Sequence, residues 1–338
     1  MSASIFKAYD IRGLVDKELT PDFAFATGIA VARFLEHERE PGTVVIGEDM
    51  RPSSPILAGA FAAGVTSQGF DAIRIGLAST DMTYFASGKL NLPGAMFTAS
   101  HNPAEYNGIK LCLSGARPIG KESGLLTIEK FVREGVPVSL RPVGVENHKE
   151  MLQEYVDHLL TLVDVSGIRK LNIVVDAGNG MAGHTAPAVF SRMNVDVTEM
   201  YYELDGTFPN HEANPIDEAN LADLKKKVKQ KKADIGLAFD GDAGVPGFPP
   251  NPNAKVCVPL PAKALLAVDI LVDVVQEVPF HTSVAVDTGG TLPPKPTAEV
   301  CVPAPAKACL AVFIELTDVQ LLPFKHSNNR RNHQYNRR

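Results

Sequence analysis

Between residues 42 and 112, short apolar runs alternate with stretches of helical spacing, and after residue 150 the same alternation starts again. A chain patterned this way buries its strands in one layer and its helices on the faces of that layer, so it folds as α/β. Thr43-Val-Val-Ile46 reads as a buried strand. Arg51-Pro-Ser-Ser-Pro55 supplies cap residues and an early proline for a helix that runs from Ile56 to about Gln68 and ends near Gly69. Asp71-Ala-Ile-Arg-Ile75 is the next strand, Met82 to Leu90 the next helix, and Gly94-Ala-Met-Phe-Thr98 a further strand.

In the second unit, Met151 to Val163 carries helical spacing at Leu152, Tyr155, Val156, Leu159, Leu160 and Val163. Leu171-Asn-Ile-Val-Val175 is a strand, and the glycines of Asp176-Ala-Gly-Asn-Gly180 suit a tight strand-to-helix turn. Leu221 to Lys232 reads as a helix and Ile235-Gly-Leu-Ala-Phe239 as a strand. Two consecutive three-layer α/β domains are therefore expected at 1–140 and 150–244, with a Gly-, Pro- and Val-rich boundary at 135–146. Lys225 to Lys232 holds six lysines in eight residues, which reads as a solvated helix face.

From residue 245 the texture changes. Residues 1–244 hold 12 prolines and residues 245–338 hold 13, more than twice the density. Residues 249–283 align with 293–327 at an offset of 44, with 21 identities in 35 positions, so this tract is an internal duplication. Val256-Cys-Val-Pro259 returns as Val300-Cys-Val-Pro303, an extended piece that would feed a helix with proline near its start. Two copies fall short of the three a solenoid needs. The segment 245–338 is expected to be irregular, ending in a basic, acid-free tail at 325–338.

Lys and Arg total 33 against 39 Asp and Glu, a net charge of -6, which gives no electrostatic reason to expect nucleic acid or an anionic membrane as partner. The apolar stretch Leu260 to Val278 is broken by Lys263, Asp269 and Asp273 and does not read as a span. Four cysteines without a CxxC pair indicate neither a disulfide framework nor zinc, and residues 1–10 lack a leader pattern; a cytoplasmic location is expected. Nothing in the sequence specifies an oligomeric state.

Three segments can do chemistry. Thr98-Ala-Ser-His-Asn-Pro103 follows an apolar strand, so Ser100 should stand at a strand's carboxyl end, where open α/β sheets bind ligands. A nucleophilic serine there admits a hydrolase reading, but no GxSxG elbow surrounds it, and His101 is too close in sequence to act as its base. A plain polar turn is the other local reading. Asp240-Gly-Asp242, again at a strand end, suits either a hard cation or an ordinary Asp-Gly turn. Tyr9-Asp-Ile-Arg-Gly13 sets Arg12, a natural phosphate clamp, beside a glycine.

In combination and order, these segments with Asn107-Gly-Ile-Lys110, Val175-Asp-Ala-Gly-Asn-Gly180 and Phe208-Pro-Asn-His211 resemble the α-D-phosphohexomutases. The likeness is strongest to the bacterial phosphomannomutase/phosphoglucomutase branch and covers about residues 4–243. Thr98 favours that branch over the phosphoglucosamine mutases, which usually carry Ser there. The resemblance implies an enzyme that moves phosphate between O1 and O6 of a hexose phosphate through a phosphoserine and a bisphosphate intermediate. Ser100 matches the phosphorylated serine. Lys110 matches the general acid/base, with a pKa expected to be lowered by nearby cations. Arg12 and Tyr9 match residues near the transferring phosphate, and His101 and Asn102 the loop that shapes it. Mg²⁺ would sit on Ser100, Asp240 and Asp242, with glucose 1,6-bisphosphate or mannose 1,6-bisphosphate as activator.

The match then departs from the pattern. The family's metal loop reads Asp-Gly-Asp-Ala-Asp-Arg; here Gly244 and Val245 replace the third carboxylate and the arginine. Beyond Val245 there is no Gly-Glu-x-Ser-Gly sugar-recognition loop and no Arg-x-Ser-Gly-Thr phosphate loop. Weaker metal binding and impaired turnover are the expectation, because remote binding energy orients the substrate. The alternative is a non-catalytic phosphosugar- or partner-binding remnant, or a product read in a shifted frame.

Overall fold

A computed structural model describes residues 5–243 except residue 138, and the backbone of three short strands beyond them. The elements run β1 (Ile11–Leu14), α1 (Pro21–His37), β2 (Thr43–Glu48), α2 (Ser54–Ser67), β3 (Asp71–Leu77), α3 (Thr80–Leu90), β4 (Gly94–Phe97), β5 (Tyr106–Leu113), β6 (Arg117–Pro118), α4 (Leu126–Glu134) and β7 (Glu146–His148). They continue with α5 (Leu152–Leu162), β8 (Leu171–Asp176), α6 (Ala182–Phe190), β9 (Val195–Met200), α7 (Ala222–Lys231) and β10 (Ile235–Ala238), then the short β11 (Lys255–Cys257), β12 (Glu299–Val300) and β13 (Val312–Phe313).

The first sheet has the order β1-β5-β4-β2-β3-β7, with β6 paired to β5. Strands β4, β2, β3 and β7 run parallel, as alternating strands and helices require, while β5 lies antiparallel to both β4 and β1. Strand periodicity divides the side chains between two cores. Val44 and Ile46 of β2 join Phe61 of α2, Phe34 of α1 and Ile128 of α4 on one face. Val45 between them joins Met82 and Phe85 of α3 and Tyr155 and Leu159 of α5 on the other. Phe61 meets Phe97 of β4 edge-on at 5.4 Å, a pair worth about 1 kcal/mol beyond the area it buries. Helix α5 thus packs on the first sheet, with Val189 of α6 also against it.

The second sheet has the order β13-β12-β11-β10-β8-β9, with β10, β8 and β9 parallel to one another, β9 at the edge and β11 antiparallel beside β10. Ile173, Val175 and Leu237 face Ala186 and Phe190 of α6. Val174 and Ala238 face Leu224 and Val228 of α7. Both units are therefore helix–sheet–helix layers. The fold class is α/β with two such domains.

Sequence patterning places β2, α2, β3, α3, β4, α5, β8, α7 and β10 to within a few residues of these bounds. It gave no expectation for α1, although Thr20 caps its first turn by accepting from Phe23 N at 3.1 Å, with Pro21 next in line. The boundary segment 135–146 ends by adding β7 to the first sheet beside β3. In the duplicated tract, β11 and β12 pair in parallel through Val256 and Val300, equivalent positions of the two copies. The rest of the tract, the tail, Gly244 and Val245 lie outside the described residues.

Candidate functional site

The loop after β4 carries Ser100, which is 4% exposed and has a φ of 55°, a left-handed conformation unusual for a residue with a Cβ. Thr98 Oγ1 accepts from Ser100 N at 2.9 Å, and Arg51 Nη2 donates to Ser100 O at 2.9 Å. With its backbone so held, Ser100 Oγ donates to Asp240 Oδ2 at 2.8 Å and lies 3.2 Å from Asp242 Oδ1. The two carboxylates stand on the turn after β10, so the carboxyl ends of β4 in one sheet and β10 in the other converge on one point.

Gly241 makes the convergence possible. A Cβ there would lie 2.4 Å from Ser100 O, closer than nonbonded carbon and oxygen approach. Asp242 is fully buried and accepts from Lys110 Nζ at 2.7 Å and Thr80 Oγ1 at 2.8 Å, while Thr80 N donates to Asp242 O at 3.2 Å. The carboxylate thus sits at the start of α3, where a helix favours negative charge. Lys110 reaches it from β5, where the antiparallel register sets Lys110 beside Met96.

Arg12 is held on two sides, with Nε donating to Asp10 Oδ2 at 3.1 Å and Nη1 donating to Asn102 Oδ1. His101 Nδ1 is buried without a hydrogen-bond partner among the described residues, 4.0 Å from Asp240 Oδ2. Tyr9 is exposed, with its ring beside Gly120. The structure therefore gathers Ser100, His101, Asn102, Arg12, Lys110, Asp240 and Asp242, and leaves Tyr9 in solvent.

Burial pushes the Asp242 carboxyl upward, but the Lys110 ammonium and the hydrogen bonds from Lys110 and Thr80 override it and hold the group well below the usual carboxylate range. Burial and then the charge of Asp242 push Asp240 the other way, well above that range. Burial works against the charge on Lys110, yet Asp242 outweighs it and the net shift is upward. This corrects the expectation of a lowered lysine: the neighbour that dominates is an anion in direct contact, with Arg12 acting more weakly in the other direction. Burial and then Arg12 lower His101.

The residues present fit a hard cation in part. Asp240 Oδ1 is buried and has no hydrogen-bond partner among the described residues, so one oxygen faces the cluster unsatisfied. Asp240 and Asp242 with the Ser100 oxygen would hold the cation. No group of three or more His, Cys, Asp or Glu suited to a metal occurs among the described residues.

Patterning missed several contributors. Arg51 and Asp49 are buried beneath the serine loop, although Arg51 reads in sequence as the lead-in to α2. Asn107 Nδ2 donates to Ser53 Oγ at 2.8 Å and Ser54 Oγ at 2.9 Å, tying the start of β5 to α2. Thr80 gave no local signal beyond its place at a helix start. The segment Phe208-Pro-Asn-His211 works in two places: the Phe208 ring stacks at 5.1 Å on the Arg51 guanidinium, and His211 Nε2 lies 3.1 Å from Asp176 Oδ2.

Residues 3–136 match the model of the phosphoglucomutase/phosphomannomutase alpha/beta/alpha domain I, and residues 153–248 match that of domain II. A protein of Xanthomonas campestris pv. campestris (strain B100) named "Phosphohexose mutases" is 40% identical over 243 residues, covering 72% of this chain and 53% of its own length. An Escherichia coli phosphomannomutase is 41% identical over 246 residues, covering 70% and 53%. The crystal structure of a phosphoglucomutase/phosphomannomutase family protein from Burkholderia thailandensis superposes with a TM-score of 0.68 at 32% identity, covering 76% of this chain and 55% of that one. The chain thus spans about half the length of the relatives it matches.

Proposed function

Because the chain belongs to the phosphoglucomutase/phosphomannomutase family, we propose that it carries the phosphoserine half of a hexose-phosphate mutase. The observation that carries this reading is the buried Ser100 hydroxyl, 2.8 Å from Asp240 and aimed across the junction of the two domains. In phosphorylation from a hexose 1,6-bisphosphate, a Ser100 Oγ–P bond forms as a sugar O–P bond breaks. Hexose monophosphate leaves. The hydroxyl proton departs along its hydrogen bond to Asp240 Oδ2, and Lys110, held as an ammonium by Asp242, protonates the leaving sugar oxygen. In the reverse direction the phosphoserine donates to a hexose monophosphate, and a reoriented bisphosphate returns its other phosphate to Ser100.

Such transfer needs alignment and charge neutralisation more than covalent help. Arg12, fixed between Asp10 and Asn102, supplies positive charge beside the loop, and His101 and Asn102 shape the phosphate's surroundings. Mg²⁺ on Asp240, Asp242 and the phosphoserine would neutralise charge on the transferring group. Tyr9 is the residue that a bound sugar phosphate would cover. Hexose phosphate is the substrate class, and glucose or mannose 1,6-bisphosphate the phosphate source.

Gly244 and Val245, where the family carries a carboxylate and an arginine, favour a second reading in which Ser100 takes phosphate but turnover is slow or absent. One experiment addresses both. The chain is incubated with glucose 1,6-bisphosphate and Mg²⁺, phosphate is mapped by intact mass and peptide analysis, and conversion of mannose 1-phosphate is followed. Phosphate on Ser100 with turnover fits the full mutase, phosphate without turnover fits the second reading, and no phosphate on Ser100 overturns both.

A further inference from the structure

Arg51 is 1% exposed, and each of its five guanidinium N–H groups has an acceptor. Nε donates to Asp49 Oδ2 at 3.2 Å. Nη1 donates to Pro103 O at 2.8 Å and Tyr106 O at 2.9 Å; Nη2 donates to Ser100 O at 2.9 Å and Asn102 O at 2.7 Å. Four carbonyls of the turn that carries the nucleophile therefore converge on one planar cation. We propose that Arg51 is the positioning residue of the serine loop, setting the left-handed Ser100 backbone and so the aim of its hydroxyl, an inference that rests on the phosphoserine reading for its catalytic consequence.

The chain of contacts behind Arg51 is closed on itself. Asp49 Oδ1 accepts from Arg51 N at 3.0 Å and from Ser54 Oγ, and Asn107 at the far end of the loop donates to Ser54 Oγ at 2.9 Å. The loop is thus gripped at 100, 102, 103, 106 and 107 from a single cluster on the β2–α2 connection. The second domain closes the other side. A Cβ on Gly206 would lie 2.7 Å from Arg51 Cα, and the Phe208 ring lies 5.1 Å from Arg51 Cζ. Phe208 also lies against Gly241, where a Cβ would be 3.4 Å from Phe208 Cζ. One cation thereby ties the nucleophile turn to the loop that packs on the carboxylate turn. A fork of five fixed donors can hold four carbonyls at once; the point charge of a lysine, with three donors on a flexible stem, cannot. The charge alone would not position Ser100, so an Arg51→Lys variant separates geometry from electrostatics.

The test uses the full chain and two readouts. The first is the rate of phosphate uptake on Ser100 against glucose 1,6-bisphosphate concentration with Mg²⁺, followed by time-resolved intact mass. The second is amide hydrogen exchange over residues 94–113. With Arg51→Lys the maximal rate should fall about 100-fold, as expected for a displacement of about 1 Å, while the half-saturating concentration stays within about threefold. Exchange should rise at residues 100–107 and stay unchanged in β4 and over residues 108–113 of β5. A variant with wild-type rate and exchange overturns the proposal, and so does exchange raised evenly across the sheet, which marks a merely structural residue. If the wild-type chain takes up no phosphate, exchange alone decides: a rise confined to residues 100–107 upholds positioning while the mutase reading falls, and no rise overturns it. If Arg51→Lys fails to fold, Asp49→Asn, which keeps Arg51 and loosens its anchor, should lose about tenfold in rate with the same confined rise. Wild-type behaviour of that variant overturns the proposal.

Discussion

Replacing Gly241 by alanine adds one methyl group at the point where the two domains touch. Built on the present backbone, that methyl would lie 2.4 Å from Ser100 O, 3.3 Å from Ser100 C and 3.4 Å from Phe208 Cζ. Ordinary carbon–oxygen contact begins near 3.4 Å, so the serine loop and the carboxylate turn must part by about 1 Å. The atoms that yield are backbone on both sides, and Arg51 holds the Ser100 carbonyl in place, so no flexible side chain absorbs the shift. The Ser100 Oγ–Asp240 contact of 2.8 Å is the first to be lost. A displacement of about 1 Å at a reacting centre costs roughly 100-fold in rate, or about 2.7 kcal/mol of transition-state stabilisation. Overpacking adds a stability loss of about 1–3 kcal/mol. The assay is the single-turnover rate of Ser100 phosphorylation with the melting temperature measured alongside. Gly42→Ala is the control, since nothing lies within 4 Å of a Cβ there. Wild-type phosphorylation and melting by Gly241→Ala would refute the close approach of the two turns and the catalytic geometry drawn from it.

Lys110→Met leaves the buried Asp242 without its ammonium, and urea unfolding should show a loss of about 3–5 kcal/mol; a loss under about 1 kcal/mol would contradict the pairing. Mg²⁺ at about ten times its dissociation constant should stabilise the protein by about 1.4 kcal/mol, seen as a rise of a few degrees in melting temperature, and Asp240→Asn should abolish that rise. The hydrogen bond to Asp176, above all, raises the pKa of His211 from its ordinary 6.5 in the folded state. The stability it contributes is therefore fully present below about pH 6.5 and lost as pH rises through the higher folded value. The melting temperature of wild type should accordingly exceed that of His211→Gln by more near pH 5.5 than near pH 8.5, and a gap that widens with pH would reverse the assignment.

What the sequence makes legible here is what local rules govern. The apolar runs at Thr43-Val-Val-Ile46 and Gly94-Ala-Met-Phe97 are strands because both faces of each are buried, and the loop after such a strand must open at the ligand edge of the sheet. Ser100 and Asp240 were placed at strand ends by that argument alone. Their meeting was not, because it depends on the glycine at 241 and on two sheets whose approach no window of sequence encodes. Lys110 shows the same limit in its charge state. Cationic neighbours are expected to lower its pKa, yet the antiparallel return of β5 brings it to Asp242, 132 residues away, and the sign reverses. Arg51 is the sharpest case. An arginine in Arg51-Pro-Ser-Ser-Pro55 carries every local mark of a solvated helix lead-in. It is buried because its acceptors are carbonyls 49 to 55 residues downstream, and those carbonyls are there because the serine turn bends left-handed. Residues whose role is set by such long-range polar satisfaction look ordinary in sequence. The few arginines that escape solvent in a fold like this are therefore better guides to which loop must stay rigid than the loop's own composition.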